Sequence, residues 1–220
     1  MSAFDDLVDD AIFLCMESQG RTQELWGSFD WNVDLPTQQF TFKSDPPTQF
    51  RAHLLGSSAP GPNSWLWGWA NSNVAPESTA LVSRARDHAA TRGIAELTTP
   101  ELALTDDLPL RLALAIESLT GLRTYFNGDI GRGSRIWLLL EGEALALPAP
   151  DVISVTGAIT RGIAATTVHD HRRAVRSYAG HRGISLADEA TMALVLPGGT
   201  VTVEFANDRI SNIHATSGPA

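Results

Sequence analysis

The sequence predicts an α+β fold, antiparallel sheets packed by helices, with a helix at the N-terminus and a three-stranded meander at the C-terminus. Two observations predict it. Alternating strand patterns fall in neighbouring pairs, as hairpins do, instead of alternating singly with helices. Stretches with helical spacing of apolar residues lie between those pairs. A chain of 220 residues, 43% of them hydrophobic, has enough apolar surface for a substantial core.

Taken in order, Phe4, Leu7, Val8, Ile12, Leu14, Cys15 and Met16 recur near helical spacing, and Asp5, Asp6, Asp9 and Asp10 crowd the first turns. Acids are stabilised at that end of a helix, so a helix opens residues 4–29. Residues 31–35 and 39–43 alternate about Pro36, which reads as a hairpin. Short strands are expected around 50–55 and 65–70, separated by a loop from Gly56 to Asn63. Pro76 suits the first turn of a helix that stops at Gly93. A second helix covers about 107–122, with Thr105 and Asp106 as cap candidates.

Strands at 125–130 and 135–141 are expected to turn through Gly131, Arg132 and Gly133; the second carries the continuous apolar run 136–140 of a strand buried on both faces. Leu147, Pro148, Ala149 and Pro150 form the clearest internal break, giving a domain over 1–147 and a segment over 148–220 that can belong to the same globule. Beyond it, Val152, Val155, Ile159 and Ile163 fit a helical stripe despite Gly157 and Gly162. Residues 167–178 form a better helix, with Thr167 and Asp170 in capping-box spacing. The tail is a meander over 192–196, 201–205 and 210–213, turning at Pro197, Gly198 and Gly199.

The most informative stretch is Trp65, Leu66, Trp67, Gly68, Trp69, Ala70, closed by Asn71. In an extended strand, the three indoles would line one face and Leu66, Gly68 and Ala70 the other. Such a wall is either the centre of the core or the lining of a pocket or partner groove, and periodicity leaves both open. A pocket would draw on Trp65, Trp67, Trp69 and Asn71, and on Asp30 and Asn32 beside Trp26 and Trp31. It would open at Trp69 and Asn71, where the strand ends.

Leu55, Gly56 and Ser57, followed by Ser64 through Asn71, resemble the recurring feature of an uncharacterised bacterial domain family: a Trp-rich strand after a Gly and Ser loop, ending in Trp, Ala, Asn. The resemblance extends over residues 1 to about 145. It implies a shared fold, attaches no activity and transfers no catalytic residue. The C-terminal 70 residues gain nothing from it.

A formal charge of −9 repels nucleic acid and anionic membrane surfaces, so neither is expected as a partner. No basic, apolar leader opens the sequence and no apolar run approaches the length of a membrane span. The single cysteine, Cys15, points to a reducing compartment, and the expected location is cytoplasmic. Against the acidic background, residues 161–182 hold Arg161, Arg172, Arg173, Arg176 and Arg182 with one acid, Asp170, and with His169, His171 and His181. This is either a basic helix face that pairs with acids elsewhere or an anion-binding site built on Arg172, Arg173, Arg176 and His171.

His169 and His171 are two apart. On a helix they would diverge by about 200° and could not share an ion, so no metal is expected there. The glycine-rich run 128–135 lacks the Lys-Ser/Thr ending of a phosphate loop and reads as a hairpin turn. No Gly-x-Ser-x-Gly elbow occurs, Cys15 has no electropositive setting, and the pairs Asp106–Asp107 and Asp188–Glu189 sit where caps belong. No cofactor motif and no catalytic residue emerge. The expectation is a non-catalytic binding or interaction protein, with a protein or small-molecule partner and an immunity-like role among its analogies. The alternative is an enzyme that acts on an anionic small molecule through the cluster at 161–182. Oligomeric state stays open.

Overall fold

A twelve-residue strand, β3 (Thr48–Ala59), organises the larger of two antiparallel sheets in the computed structural model, which describes residues 2–188 and 191–218. Ahead of it come a long helix α1 (Ala3–Trp26) and the hairpin of β1 (Trp31–Asp34) and β2 (Gln39–Phe42). After it come β4 (Ser64–Trp67), α2 (Pro76–Thr91), α3 (Ala95–Thr98), β5 (Glu101–Ala103), α4 (Leu108–Thr120), β6 (Tyr125–Gly131) and β7 (Ser134–Glu141). The first four residues of β3 pair with β2, its last four with β4, and residues 51–58 with β7, which also carries β6. Strand β5 completes seven strands by pairing with β4.

The alternation of β2 and β3 explains why the sheet is two-faced. Phe40, Phe42, Phe50, Ala52 and Leu54 point into one core with Trp26, Ile136, Leu138 and Leu140, while Gln39, Gln49 and Arg51 stay exposed. The rings in that core meet edge to face, stacked or tilted. Phe40 lies 4.6 Å from Phe126 and 4.8 Å from Phe42, and Trp26 stacks on Phe42 at 5.7 Å. Quadrupole complementarity and apolar burial act together at these separations.

The loop expected from Gly56 to Asn63 is instead strand as far as Ala59, with the turn confined to the residues after it. The turn-forming composition serves packing. A Cβ on Gly56 would collide with the Leu66 carbonyl oxygen and the Trp65 ring, and Ser58 Oγ accepts a hydrogen bond from Trp137 Nε1 at 3.1 Å. The strand expected over 65–70 is shorter than predicted: β4 ends at Trp67 and Gly68–Ala70 form a 3-10 turn. There, a Cβ on Gly68 would press on Leu54, so the turn can approach β3 only without one.

Beyond residue 147 lie α5 (Val152–Ala165), α6 (His171–Arg182) and a sheet of β8 (Ser185–Leu186), β9 (Ala193–Leu196), β10 (Gly199–Ala206) and β11 (Arg209–Ser217), ordered β11-β10-β9-β8. The predicted three-stranded meander is thus four-stranded, because a two-residue strand is too short to show alternation. Helix α6 starts at His171 and not at 167, with Asp170 as its N-cap accepting from the Arg173 N–H. Asp188 is exposed, and its neighbour Glu189 lies outside the described residues.

By contacts, the chain divides into two compact units, Thr22–Ala146 and Met1–Arg21 with Leu147–Ala220. The first 21 residues group with the segment after residue 146, where Phe13 meets Tyr178 edge to face at 6.3 Å and the ion pairs described below are made. Within Thr22–Ala146, helices α2 and α4 pack together, α2 on β3 and α4 on β7. No helix among the described residues is long and apolar enough to cross a membrane.

Candidate functional site

Trp65 and Trp67 are fully buried, so the indole wall is core in this structure. Trp65 meets Trp67 edge to face at 5.4 Å and Trp137 at 6.0 Å, and Tyr125 stacks on Trp137 at 5.4 Å. Trp67 Nε1 donates to the Glu96 carbonyl at 3.2 Å. The indole N–H of Trp65 is buried without an acceptor among the described residues, an arrangement that costs about 1–3 kcal/mol. The 3-10 turn re-aims Trp69, which stacks on Trp67 at 6.3 Å and carries the Arg86 guanidinium over its ring at 4.8 Å.

Asn71 ends that turn, its N–H donating to the Gly68 carbonyl and its Oδ1 accepting from the Asn73 N–H. Asp30 is exposed beside β1, where its carbonyl accepts from the Lys43 N–H and closes the hairpin. Asp30 thus stands at one end of the strand path β1-β2-β3-β4-β5 and Asn71 just beyond β4, near the other.

Arg172, Arg173, Arg176 and His171 share α6 but face different surroundings. Arg173 makes a two-pronged contact with Asp10, Nε to Oδ1 at 2.7 Å and Nη2 to Oδ2 at 2.6 Å, and approaches Asp6 at 3.4 Å. Its hydrogen bonds to Asp10 raise its pKa. Arg172 lies over the Phe205 ring at 4.1 Å, within 3.8 Å of Asp208. Arg176 is exposed. His171 is buried with no partner for Nδ1 among the described residues, and burial lowers its pKa.

The same pairing extends along α1. Asp9 accepts from the backbone N–H groups of His169 and Asp170, at 3.0 and 2.7 Å, yet burial still raises its pKa. His169 Nε2 lies 3.4 Å from Asp5. Glu17, almost wholly buried, accepts from the Tyr178 hydroxyl at 2.9 Å, and Arg182 Nε sits 2.9 Å from it as an ion pair, off the hydrogen-bond axis. Burial, then the charge of Glu17, pushes the Tyr178 hydroxyl well above its ordinary pKa. The acids that open the sequence and the basic stretch near its end are therefore one network. The glycine-rich run forms the β6–β7 turn, with Gly131, Arg132 and Gly133 all at positive φ.

A different set of residues lines a shallow, open hollow of about 500 Å³ on the polar side of β2 and β3: Thr37, Gln38, Gln39, Gln49, Arg51 and Glu141, with Phe50 also at its border. Arg51 and Glu141 are directly opposite each other on adjacent strands. Each is held by a different side chain. Arg51 donates from Nε and Nη2 to Gln38 Oε1, at 3.2 and 2.8 Å, and buried His53 donates from Nε2 to Glu141 Oε2 at 2.9 Å. Gln38 is pinned in turn: its Nε2 donates to the Glu77 carbonyl at 2.6 Å, its own carbonyl accepts from Ala52, and its φ is 56°. A non-glycine residue there is uncommon and persists only where its surroundings enforce it.

Sequence reasoning passed over this hollow. Its one signal was a polar stripe, Gln49, Arg51 and His53, alternating with Phe50, Ala52 and Leu54. No group of three or more His, Cys, Asp or Glu residues among the described residues is arranged to hold a metal ion.

The fold and the hollow define an α+β protein built on a seven-stranded antiparallel sheet with a polar depression where β2, the start of β3 and the end of β7 are exposed. Residues 5–143 match a protein family described as "Family of unknown function (DUF6882)", and the chain belongs to that family. No curated protein and no solved structure matches the chain.

Proposed function

We propose that this protein is a non-catalytic binding protein whose recognition site is the hollow between β2, β3 and β7. The observation that carries the reading is the held-apart pair Arg51 and Glu141. Opposite charges facing each other across neighbouring strands ordinarily join, yet no ion pair within 4 Å links these two, and each is oriented by a different side chain, Gln38 for Arg51 and His53 for Glu141. Hydrogen-bonding groups fixed in place around a concavity are the usual makings of a ligand site.

A small polar ligand is favoured over a broad protein interface because the large hydrophobic residues exposed among the described residues, Phe29, Ile130, Ile153, Ile163 and Val195, are few and come from four different segments, with only Ile153 and Ile163 sharing one, α5. The alternative, an enzyme acting through residues 161–182, has less support, since Arg173 and Arg182 are engaged by Asp10 and Glu17 and the buried His171 favours its neutral form. Cys15, buried and in no disulfide among the described residues, is in keeping with a reducing, cytoplasmic setting.

A fragment screen on the intact protein, read by amide and side-chain NMR shifts, tests the site. Polar fragments are expected to move the side-chain amides of Gln38, Gln39 and Gln49 and the Nε–H of Arg51 together. Fragments that gather elsewhere, or nowhere, would sink the reading.

A further inference from the structure

Resting on that reading of the hollow, we infer that its ligand is a small zwitterion carrying an ammonium and a carboxylate on a short scaffold, as in a free α-amino acid or a dipeptide. The inference starts from what each charge still lacks. Gln38 occupies Nε and Nη2 of Arg51, which leaves Nη1 with no partner among the described residues; His53 occupies Oε2 of Glu141, which leaves Oε1 likewise. A guanidinium edge donates to a carboxylate, and a carboxylate oxygen accepts from an ammonium.

Spacing selects the scaffold. Residues opposite each other in an antiparallel pair have Cα atoms about 4.5–5.5 Å apart, so two open charged ends on the same face lie within the span of a molecule whose opposite charges are separated by one to a few bonds. A simple anion would satisfy Arg51 while facing the negative charge of Glu141. A simple cation would meet the reverse. Only a ligand bearing both signs gains on both sides, and the discrimination comes as much from the repelled alternatives as from the attraction.

The surroundings add to the class. A volume of about 500 Å³ exceeds what the charged ends of one amino acid fill, and the remaining polar lining is Thr37, Gln39 and Gln49. These are neutral hydrogen-bonding groups, which suit a ligand with an amide or hydroxyl beyond its charged ends. Gln38, anchored on Glu77 and Ala52, holds Arg51 so that little side-chain entropy remains to be lost on binding.

Isothermal titration calorimetry on the full chain tests the inference with four probes: L-glutamine, glycyl-L-glutamine, N-acetyl-L-glutamine and L-glutamine amide. The expected result is saturable binding of at least one of the first two, with the acetylated and amidated probes weaker by about ten- to hundredfold, the worth of one charge-assisted hydrogen bond. Preference between the first two separates a free amino acid from a peptide as the source of the zwitterion. Arg51→Gln and Glu141→Gln should each weaken that binding by a similar factor. Both are surface changes, and Gln at 141 can still accept from His53, so circular dichroism and thermal midpoints should stay near those of the parent chain.

Equal binding of the capped and uncapped probes overturns the zwitterion while leaving the hollow as a binding site. Binding that survives both substitutions overturns it by locating the ligand elsewhere. No heat from any probe also overturns it, and the fragment screen then decides separately whether the hollow binds another chemistry.

Discussion

Aromatic packing in Thr22–Ala146 and ionic pairing in the unit that joins Met1–Arg21 to Leu147–Ala220 are two ways of consolidating a few elements into a unit. In the first, Trp26, Phe40, Phe42, Phe50 and Phe126 form one ring cluster, and Trp65, Trp67, Trp69, Trp137 and Tyr125 another. In the second, α6 meets α1 through Arg173 with Asp6 and Asp10, and through Arg182 and Tyr178 with Glu17. Apolar burial, the larger part of what ring packing contributes, is non-directional. A buried charge network is all-or-none, because the loss of one member leaves another charged and dry.

The largest effect should come from the aromatic side. Trp67→Ala removes a fully buried indole and is expected to cost about 3–5 kcal/mol, read as a fall in the urea midpoint. A cost under 1 kcal/mol would mean that the ring is not part of the core. Next is the ionic side. Glu17→Ala strands Arg182, whose side chain is 9% exposed, and should cost about 3 kcal/mol. The double variant Glu17→Met, Arg182→Met should recover much of that loss, as no comparable rescue can do for Trp67; a double variant as unstable as the single one would show that the network is not limited by desolvation.

Gly56→Ala probes the point where strand and indole meet, and overpacking against the Leu66 carbonyl and Trp65 should cost about 1–3 kcal/mol in the same assay. The smallest effect is one of pH. His171 has its folded pKa lowered below 6.5 by burial, so the unfolded chain takes up the proton first. The contribution linked to His171 is therefore fully present above pH 6.5 and is lost as pH falls from 6.5 through the folded value. Comparing His171→Phe with the parent chain at pH 7.5 and 5.5 isolates this slope; parallel losses in both would assign it to another group.

Much of the local structure was legible. The 31–35 and 39–43 hairpin, the helices after Pro76 and near 107–122, and the paired strands at 125–141 follow from periodicity and caps that act within a few residues. The errors are instructive. Gly56, Ser57, Ser58 and Ala59 carry the composition of a loop, but Gly56 lies against the Trp65 indole and Ser58 accepts from that of Trp137. Trp69 kept the alternation of a strand on paper, yet the chain turns at Gly68, where only glycine can approach Leu54.

The sequence by itself determined the α+β class, the acidic opening of α1, the basic stretch of α6 and the two candidate roles of the indoles, because composition and short-range spacing act locally. Tertiary structure alone decided that those acids and bases meet, that Trp65 and Trp67 are core, and that Arg51 faces Glu141 across a 90-residue separation in the chain. Register and burial are set by which surfaces exclude water together, and no window along the chain contains both partners of such a pair.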